Sequence, residues 1–269
     1  MSDAWALLAA GAALTIVTMA VVWAIAVRIA NAGIVDVAWS CNFSLLAVVY
    51  AALGSGWLPR RLLMAGMVAL WSLRLGSYLY QRVMGDHPVE DGRYQQLRKD
   101  WAPRANARFF WFFELQGALN VILSLPALVA CLNPEPALDV LEIGGALVWA
   151  VALAGESVAD HQLKIFRALP ANRGRTCQVG LWRYSRHPNY FFEWLIWVAF
   201  FLFAAASSGG WLTFYCPLLM LYFLFRVTGI PATEAQALRS RGEEYREYQR
   251  TTSAFVPWFR KAAPARMDP

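Results

Sequence analysis

The chain has 269 residues, of which 58% are hydrophobic and 16% are charged, and it carries 13 tryptophans. Soluble domains are about 45–50% apolar, and a soluble chain of this composition would expose large apolar patches. The composition therefore excludes an ordinary soluble domain and favours a protein whose solvent is the lipid bilayer. The formal net charge is +6, so basic residues outnumber acidic ones.

Seven stretches are apolar and long enough, at about 20 residues, to cross the hydrocarbon core as helices. The first follows the acidic N-terminal sequence MSDAW, which with its long apolar core predicts a retained helix rather than a signal peptide. The sixth and seventh are separated by SSGG, which favours a tight helical hairpin. We therefore predict an all-α, multi-pass bundle of about seven transmembrane helices that forms a single membrane domain over residues 1–269. The predicted spans are residues 4–27, 37–58, 62–80, 109–132, 140–159, 190–206 and 211–227.

The basic residues indicate how the bundle is oriented in the membrane. With the N-terminus outside, 21 of the 24 Lys and Arg residues fall on the inner side, while Arg60 and Arg61 fall outside and Arg74 lies within a span. Cytoplasmic loops carry the excess of Lys and Arg, so we expect an external N-terminus and a cytoplasmic C-terminal segment, residues 228–269. The expected location is the cell inner membrane if the organism is bacterial and the endoplasmic reticulum if it is eukaryotic. Topology explains the positive charge, which indicates no nucleic-acid binding.

The cysteines and histidines indicate neither a metal site nor a disulfide framework. The four cysteines are scattered without a C-x-x-C pair, and the three histidines lie far apart without an H-x-x-x-H pattern. Metal catalysis is therefore not expected from these residues.

Charged residues inside the predicted spans are costly in lipid and are therefore candidates for function. Asp36 stands at the start of the second span, and Arg74 shares a helical face with Trp71 and Tyr78. In the fifth span Glu156 begins the pattern E-x-x-x-D-x-x-x-K, whose charged members form one helical stripe. The structural alternative, for any one of these residues, is a buried ion pair that holds the bundle together.

Cationic side chains are concentrated on the inner side, in the segments 81–108 and 160–189. Arginine pairs well with phosphates, carboxylates and carboxamides suit ribose hydroxyls and base edges, and aromatic rings suit base stacking. This inventory predicts a phosphorylated adenine cofactor at the inner ends of the helices. The glycines at 144–145 open an apolar span and do not form a Rossmann fingerprint, so the cofactor would need a helical-bundle site.

The segment GLWRYSRHPNYFFEWLIW (180–197), with E-x-x-x-D-x-x-x-K upstream and EAQALRSRGEEYREY (234–248) downstream, resembles the steroid 5-alpha-reductase superfamily. It is most similar to the bacterial branch of uncharacterised membrane proteins that are 3-oxo-5-alpha-steroid 4-dehydrogenase-like. In that superfamily a seven-helix bundle holds NADPH at its cytosolic side and opens to lipid to admit an enone. The resemblance implies an NADPH-dependent oxidoreductase that reduces the carbon–carbon double bond of a lipid enone, a 3-oxo-4-ene steroid or a similar isoprenoid. Glu156 and Glu234 depart from the animal enzymes, which carry Asn and His at these positions.

The resemblance also implies roles for individual residues. Reduction of an enone requires a hydride at the β carbon and polarisation of the carbonyl oxygen, for which a protonated Asp36 or a tyrosine hydroxyl supported by it is suited. Asp36 and Tyr78 are the predicted catalytic residues, and Trp39 and Trp71 are the predicted substrate contacts. The predicted cofactor contacts are Arg82, Glu156, Asp160, Lys164, Arg167, Tyr184, His187, Asn189, Glu193, Glu234 and Tyr245.

Two other functions stay open at the level of sequence. The segment YSRHPNY also resembles the isoprenylcysteine carboxyl methyltransferases, membrane enzymes that bind S-adenosylmethionine, although Phe192 stands where those enzymes usually have glycine. The third function is that of a non-enzymatic lipid-binding membrane protein or a transporter, and the sequence shows no inverted repeat that would favour a transporter. The expected partners are membrane lipids and a lipid or steroid substrate that enters from the bilayer, and a monomer is favoured.

Overall fold

The computed structural model describes residues 2–85, 87–227 and 229–261. These residues contain no β-strand, so the predicted all-α class is confirmed. The helices are α1 (Ser2–Ile29), α2 (Ile34–Leu53), α3 (Leu58–Gly85), α4 (Gly92–Asp100), α5 (Ala105–Leu123), α6 (Leu125–Leu132), α7 (Val140–Ala168), α8 (Pro188–Ala205), α9 (Tyr215–Tyr222), α10 (Ile230–Arg241) and α11 (Glu243–Thr251).

Seven of the described helical stretches are long and apolar enough to cross a membrane, so the chain is an integral multi-pass membrane protein, as predicted. Each predicted span overlaps one of these stretches. α5 and α6 together provide the fourth, and the seventh runs over Gly210–Arg241. The external N-terminus and the cytoplasmic position of residues 228–269 stay predictions, and Thr228 and residues 262–269 lie outside the part of the chain that the structure describes.

Three predicted spans are shortened or interrupted in the structure for local reasons, whereas the third and fifth extend further, over Leu58–Gly85 and Val140–Ala168. The second was predicted to reach residue 58, but α2 ends at Leu53 because Gly54 adopts an extended conformation in which a Cβ atom would lie 2.5 Å from the carbonyl oxygen of Cys131. The fourth breaks between α5 and α6, where Pro126 lacks the backbone N–H that would continue the helix. The seventh begins with a 3₁₀ helix, Gly210–Phe214, and passes through a π-helical turn, Phe223–Val227, before α10.

The chain divides into two compact units. The first comprises the residues up to Glu142 together with Phe203–Thr213, and the second comprises Ile143–Leu202 together with the residues from Phe214 onward. The single domain predicted over residues 1–269 stays a prediction.

Within the first unit, polar side chains join the helices at buried positions. Ser72 of α3 donates to the carbonyl of Ser40 in α2 (2.6 Å), and Ser40 donates in return to the carbonyl of Ser72 (2.8 Å). Asn42 of α2 donates to Thr15 of α1 (3.1 Å) and to Asn120 of α5 (3.2 Å). Helices in lipid associate through such hydrogen bonds and through close packing, because apolar surface alone gives little driving force there.

A buried ion pair lies at the start of α3 in the same unit. Arg60 is 1% exposed and Glu142, in the first turn of α7, is 0% exposed, and Nε of Arg60 contacts Oε1 of Glu142. The guanidinium also donates to the carbonyls of Asn133 (3.0 Å), Glu135 (2.6 Å) and Ala137. One side chain therefore fixes the connection between α6 and α7 to the start of α3.

In the second unit, the segment before α8 is held between α7 and α11. The hydroxyl of Tyr248 in α11 donates to the carbonyls of Trp182 and Ser185. The indole Nε1 of Trp182 donates to the carbonyl of Ala159 in α7 (2.9 Å). The polar head of the segment 180–197 is therefore fixed from both sides before it enters the apolar helix.

Candidate functional site

Asp36 lies in the first turn of α2, and its side chain is mostly buried. Its Oδ1 accepts a hydrogen bond from the hydroxyl of Tyr94 (2.6 Å), and its Oδ2 accepts one from Nη2 of Arg93 (2.8 Å). Nη2 of Arg82, near the end of α3, lies 3.5 Å from the same Oδ2. The predicted catalytic acid is thus surrounded by one hydroxyl and two guanidinium groups. We call these four residues (Asp36, Arg82, Arg93 and Tyr94) the Asp36 cluster.

The short helix α4 positions two members of this cluster. Asp91 caps α4 by accepting a hydrogen bond from the backbone N–H of Arg93 (3.0 Å). Glu90, which is buried, accepts hydrogen bonds from the backbone N–H of Ala32 (2.7 Å) and from two nitrogens of Arg98 (2.8 and 3.0 Å). These contacts tie α4 to the connection between α1 and α2.

Tyr94 is 1% exposed, and its ring centroid lies 6.4 Å from each of the rings of Phe109 and Phe112 in α5. The guanidinium of Arg93 lies 4.5 Å from the centroid of the Tyr94 ring, and Nη2 of Arg93 donates to the Tyr94 hydroxyl oxygen (2.8 Å). Burial, followed by the negative charge of Asp36, raises the pKa of Tyr94 well above its usual value of about 10. The hydroxyl therefore keeps its proton at neutral pH.

The structure adds partners that the sequence prediction for Asp36 did not include. Both carboxylate oxygens of Asp36 accept hydrogen bonds, one from Tyr94 and one from Arg93. The tyrosine hydroxyl that pairs with Asp36 is that of Tyr94, where the sequence prediction named Tyr78 as the catalytic tyrosine. Tyr78 lies on α3 and is exposed, and a catalytic role for it stays a prediction.

The two tryptophans predicted to contact substrate lie on adjacent helices of the first unit. The ring of Phe43 lies 4.9 Å from that of Trp39 and 5.4 Å from that of Trp71. Trp71 is fully buried, and Trp39 is partly buried. The indole Nε1 of Trp39 is buried and has no hydrogen-bond partner among the described residues, although buried donors are usually paired. This N–H is a donor that a polar substrate atom could satisfy.

A cavity of about 430 Å³ lies next to Arg82 of the Asp36 cluster. Its volume falls within the roughly 300–1,000 Å³ of ligand pockets. The lining mixes backbone from the connection between α1 and α2 with charged and amide side chains and with Val83 and Val89, so the cavity offers both polar and apolar contacts. The polar lining residues include Asn31, Arg82, Glu90, Asp91 and Gln95.

In the second unit, the structure brings together two of the predicted cofactor contacts. Nδ2 of Asn189, in the first turn of α8, donates to Oδ1 of Asp160 on α7 (3.2 Å). One turn further along α8, Glu193 is buried and accepts a hydrogen bond from Nε1 of Trp197 (3.0 Å). Glu156 is also buried, one turn before Asp160 on α7.

Exposed cations of the second unit suit the phosphates of a dinucleotide. Lys164 and Arg167 are exposed on α7, and Arg173, Arg175 and Arg183 are exposed in the segment that follows. Guanidinium groups bind phosphate through paired N–H donors. Together with the amide and carboxylate of the α7–α8 pair described above, these residues offer the kinds of donors and acceptors that phosphates and hydroxyls bind.

Two predicted cofactor contacts belong instead to a network of ion pairs and hydrogen bonds, which we call the Glu234 latch (Arg186, His187, Glu234 and Gln249). Oε1 of Glu234 accepts from Nε of Arg186 (2.6 Å) and lies 3.3 Å from Nε2 of His187, and Oε2 accepts from Gln249 (2.9 Å). Nη1 of Arg186 donates to the carbonyls of Gln249 (3.0 Å) and Thr252 (2.6 Å). The latch fixes α10 and α11 to the segment before α8. Direct contact of Glu234 or His187 with a cofactor stays a prediction.

The two predicted tyrosine contacts differ in accessibility. Tyr184 is exposed, and its ring lies 6.3 Å from that of Phe259. Tyr245 is buried, with its ring 5.8 Å from that of Tyr248, and burial raises its pKa to about 12. Tyr184 is therefore accessible to a stacking base, and a cofactor contact of Tyr245 stays a prediction.

The sequence analysis missed Tyr94, Arg93 and Glu90 as site residues. One local signal was present, because Asp91 in the sequence EDGRY is a good N-cap residue and predicts a short helix. Nothing in the spacing links Tyr94 to Asp36, since the two residues are 58 positions apart in the chain.

The seven spans and the buried polar clusters define a polytopic helical-bundle membrane protein. The chain belongs to the family described as protein of unknown function, DUF1295, whose model matches residues 22–252. It is similar to an uncharacterized protein of Schizosaccharomyces pombe, with 29% identity over 213 residues, which cover 70% of this chain and 62% of that protein. The chain thus aligns with less than two thirds of this curated relative. No solved structure matches the chain.

Proposed function

We propose that the protein is an NADPH-dependent reductase of the carbon–carbon double bond of a lipid enone, with a 3-oxo-4-ene steroid or a similar isoprenoid as the substrate class. The observation that carries the proposal is the Asp36 cluster, in which a buried tyrosine hydroxyl is held by a carboxylate next to two arginines. The proposal is also supported by the resemblance of residues 180–197 and 234–248 to the steroid 5-alpha-reductase superfamily, to which the DUF1295 family is related.

The proposed reaction adds a hydride to the β carbon of the enone and forms an enol whose oxygen takes the Tyr94 proton. The enol then takes a proton from water at its α carbon and returns the hydroxyl proton to Tyr94, so that the double bond becomes a single bond. NADPH, when bound, supplies the hydride and is oxidised to NADP⁺. Negative charge develops on the carbonyl oxygen as the enolate forms, and a donor aimed at that oxygen lowers the barrier. Tyr94 is the proposed donor, because rotation about its C–O bond turns the hydroxyl hydrogen from Asp36 toward a substrate oxygen.

Asp36 and Arg93 are proposed to position Tyr94. The carboxylate accepts from the hydroxyl on one side, and the guanidinium donates to its oxygen on the other. The guanidinium also stabilises negative charge on the phenol oxygen when the proton moves to the substrate. Because the pKa of Tyr94 is raised well above its usual value, the hydroxyl is protonated at neutral pH and available to donate.

NADPH is the proposed cofactor, and its proposed phosphate ligands are Lys164, Arg167 and the exposed arginines that follow them. Asp160 and Asn189 are proposed to bind ribose hydroxyls or the carboxamide, for which their mixed donors and acceptors are suited. We further propose that the basic segments lie in the cytoplasm, where NADPH is available, and that the substrate enters from the bilayer. The protein is proposed to act as a monomer in the bacterial inner membrane or the endoplasmic reticulum.

The test is NADPH oxidation by the purified protein in detergent, measured against a panel of lipid enones. Tyr94→Phe should lower turnover of an accepted enone by about 10²–10³-fold, as expected for loss of one oxyanion donor, with an unchanged dissociation constant for NADPH. Tyr78→Phe is the matched control, because it removes the same hydroxyl from α3. Full turnover by Tyr94→Phe would remove the Asp36 cluster from the mechanism, and loss of turnover by Tyr78→Phe alone would make Tyr78 the donor.

Ligand binding separates the proposal from the other two functions. Energy transfer from tryptophan to the nicotinamide ring should appear when NADPH is added, because the chain has 13 tryptophans to act as donors. Binding of S-adenosylmethionine without binding of NADPH would identify a methyltransferase. A protein that binds neither cofactor but copurifies with a lipid would identify a non-enzymatic lipid-binding protein.

A further inference from the structure

A short extended segment follows α11 in the second unit, and we call it the C-terminal strap (residues 252–261). Phe255 of the strap is buried, with its ring 5.6 Å from Phe191 and 5.9 Å from Trp194, both at the start of α8, and 5.1 Å from Phe225. α8 is one of the seven helices long and apolar enough to span the membrane. The strap is therefore fixed at the level where a membrane span begins.

Backbone hydrogen bonds fix the register of the strap against the segment before α8. The backbone N–H of Arg186 donates to the carbonyl of Ser253 (2.9 Å), and the N–H of Trp258 donates to the carbonyl of Tyr184 (2.9 Å). These contacts bracket Phe255, so the strap does not depend on its side chains alone for its position. The exposed side chains of the strap, described next, therefore project from a segment whose backbone is fixed by hydrogen bonds.

The exposed side chains of the strap are aromatic and basic. Trp258 is 67% exposed and Phe259 is 77% exposed, and the two basic residues that follow them, Arg260 and Lys261, are exposed as well. Arg183, next to the segment that the strap pairs with, adds a third exposed positive charge. Adjacent exposed aromatic rings form an apolar patch of the kind found where a protein meets another protein or a membrane. Tryptophan and basic residues are the side chains enriched where a protein meets the membrane–water interface.

We propose that the C-terminal strap is a binding surface for anionic phospholipids. Trp258 and Phe259 insert at the boundary between headgroups and acyl chains, and Arg260 and Lys261 bind the lipid phosphates. The depth of the strap selects this ligand, because Phe255 holds it at the end of a membrane span, where lipid headgroups surround the protein. The strap contains two basic residues and no acidic residue, so it should bind anionic lipids more tightly than zwitterionic lipids. The proposal does not depend on the reductase function.

The test measures individual lipid-binding events by native mass spectrometry of the full-length protein, titrated with phosphatidylglycerol or phosphatidylcholine in a neutral detergent. We expect tighter binding of phosphatidylglycerol, and a loss of about fivefold in its affinity for each charge removed in Arg260→Gln/Lys261→Gln. The matched control is Arg239→Gln/Arg246→Gln, which removes two exposed charges from α10 and α11 and should leave the affinity unchanged. An equal loss in the control would show that only net charge matters and would overturn the proposal.

Insertion of the aromatic residues is tested separately in bilayers that contain brominated lipids, which quench nearby tryptophans. The fluorescence difference between the unaltered protein and Trp258→Phe should shrink in the brominated bilayer, because the emission of Trp258 is quenched there. Trp258 is exposed, so the variant should melt at the same temperature as the unaltered protein. An unchanged fluorescence difference would show that the strap faces water and would overturn the proposal. If the unaltered protein is a dimer and Trp258→Ala is a monomer, the strap binds a second copy of the chain, which would overturn the proposal as well.

Discussion

We expect the substitution Arg60→Met to destabilise the protein strongly, because one guanidinium satisfies a buried carboxylate and three carbonyl oxygens. Methionine keeps much of the apolar stem but removes every donor. The carboxylate of Glu142, which is 0% exposed, would then be buried without a cation. Breaking a buried ion pair from one side costs about 3–5 kcal/mol of the free energy of unfolding. The three carbonyl oxygens also lose their donor, so the expected loss of unfolding free energy lies in the upper part of that range.

Thermal unfolding in a single detergent, followed by the helical circular dichroism signal, measures this loss. At about 2–4 °C per kcal/mol for chains of this size, the midpoint should fall by about 6–20 °C. The matched control is Arg108→Met, which makes the same change at an exposed arginine of the first unit. Substitutions at exposed positions usually change the free energy of unfolding by no more than about 0.5 kcal/mol, so the control should melt within about 2 °C of the unaltered protein.

The double variant Arg60→Met/Glu142→Leu separates the pair from the loss of packing. Replacing both members of a buried pair by apolar side chains is often neutral, so the double variant should recover part of the loss. Recovery should be incomplete, because the backbone N–H of Asp139 donates to Glu142 (2.8 Å) and would lose its acceptor. A midpoint for Arg60→Met within 2 °C of the control, or losses in the double variant equal to the sum of the two single variants, would refute the reasoning.

A C-terminal reporter that is active only outside the cell membrane should be silent, because residues 228–269 are predicted to be cytoplasmic; reporter activity would contradict that orientation. NADPH should bind at least about tenfold more tightly than NADH, since a charge-assisted hydrogen bond to the 2′-phosphate is worth about 1.5–3 kcal/mol; equal affinities in a nicotinamide fluorescence titration would leave the basic segments a purely topological role. Glu234→Gln should lower the free energy of unfolding by about 1.5–3 kcal/mol, because it removes the charge that holds Arg186; weaker NADPH binding at an unchanged melting temperature would instead make Glu234 a cofactor contact. Glu193→Gln should weaken NADPH binding, whereas Asp36→Asn should lower turnover at an unchanged NADPH dissociation constant; parallel losses of stability and of both ligands would assign both acids to structure.

Hydropathy predicted the spans because lipid requires every spanning segment to satisfy its backbone internally, which only a long apolar helix does here. The predicted boundaries are wrong where a single residue ends or interrupts a helix within an apolar stretch. Residues 54–58 are apolar enough to extend the second span, but α2 ends where Gly54 turns to an extended conformation, at a position where a Cβ atom would lie 2.5 Å from the carbonyl oxygen of Cys131. Pro126 interrupts the fourth span without changing its mean hydropathy.

The chemistry of the site was only half predictable. Asp36 was identifiable because a lone acid at the start of an apolar span is costly unless it has a function or a partner. Its partner was not, because Tyr94 comes from a nine-residue helix in the polar segment 81–108, where hydropathy carries no signal. For Glu234 the resemblance predicts a cofactor contact, and the structure adds what no spacing indicated, that its carboxylate lies against Arg186 and His187.

Arg60 and Arg61 are the two arginines that the charge bias places outside the membrane, where basic residues are otherwise rare. Both have structural roles there. Nη1 of Arg61 donates to the carbonyls of Ala51 (2.9 Å) and Gly54, where the end of α2 leaves its last carbonyl oxygens without helical partners. Arg60 does the same for the connection after α6 and neutralises Glu142. From Arg60 to Arg82 the helical rise along α3 is about 33 Å, close to the thickness of the hydrocarbon core. The Arg60–Glu142 ion pair and the Asp36 cluster therefore lie near opposite ends of the third membrane-spanning helix. Arg60 and Arg61 both bind acceptors within the protein, which explains why basic residues are tolerated at these positions against the charge bias.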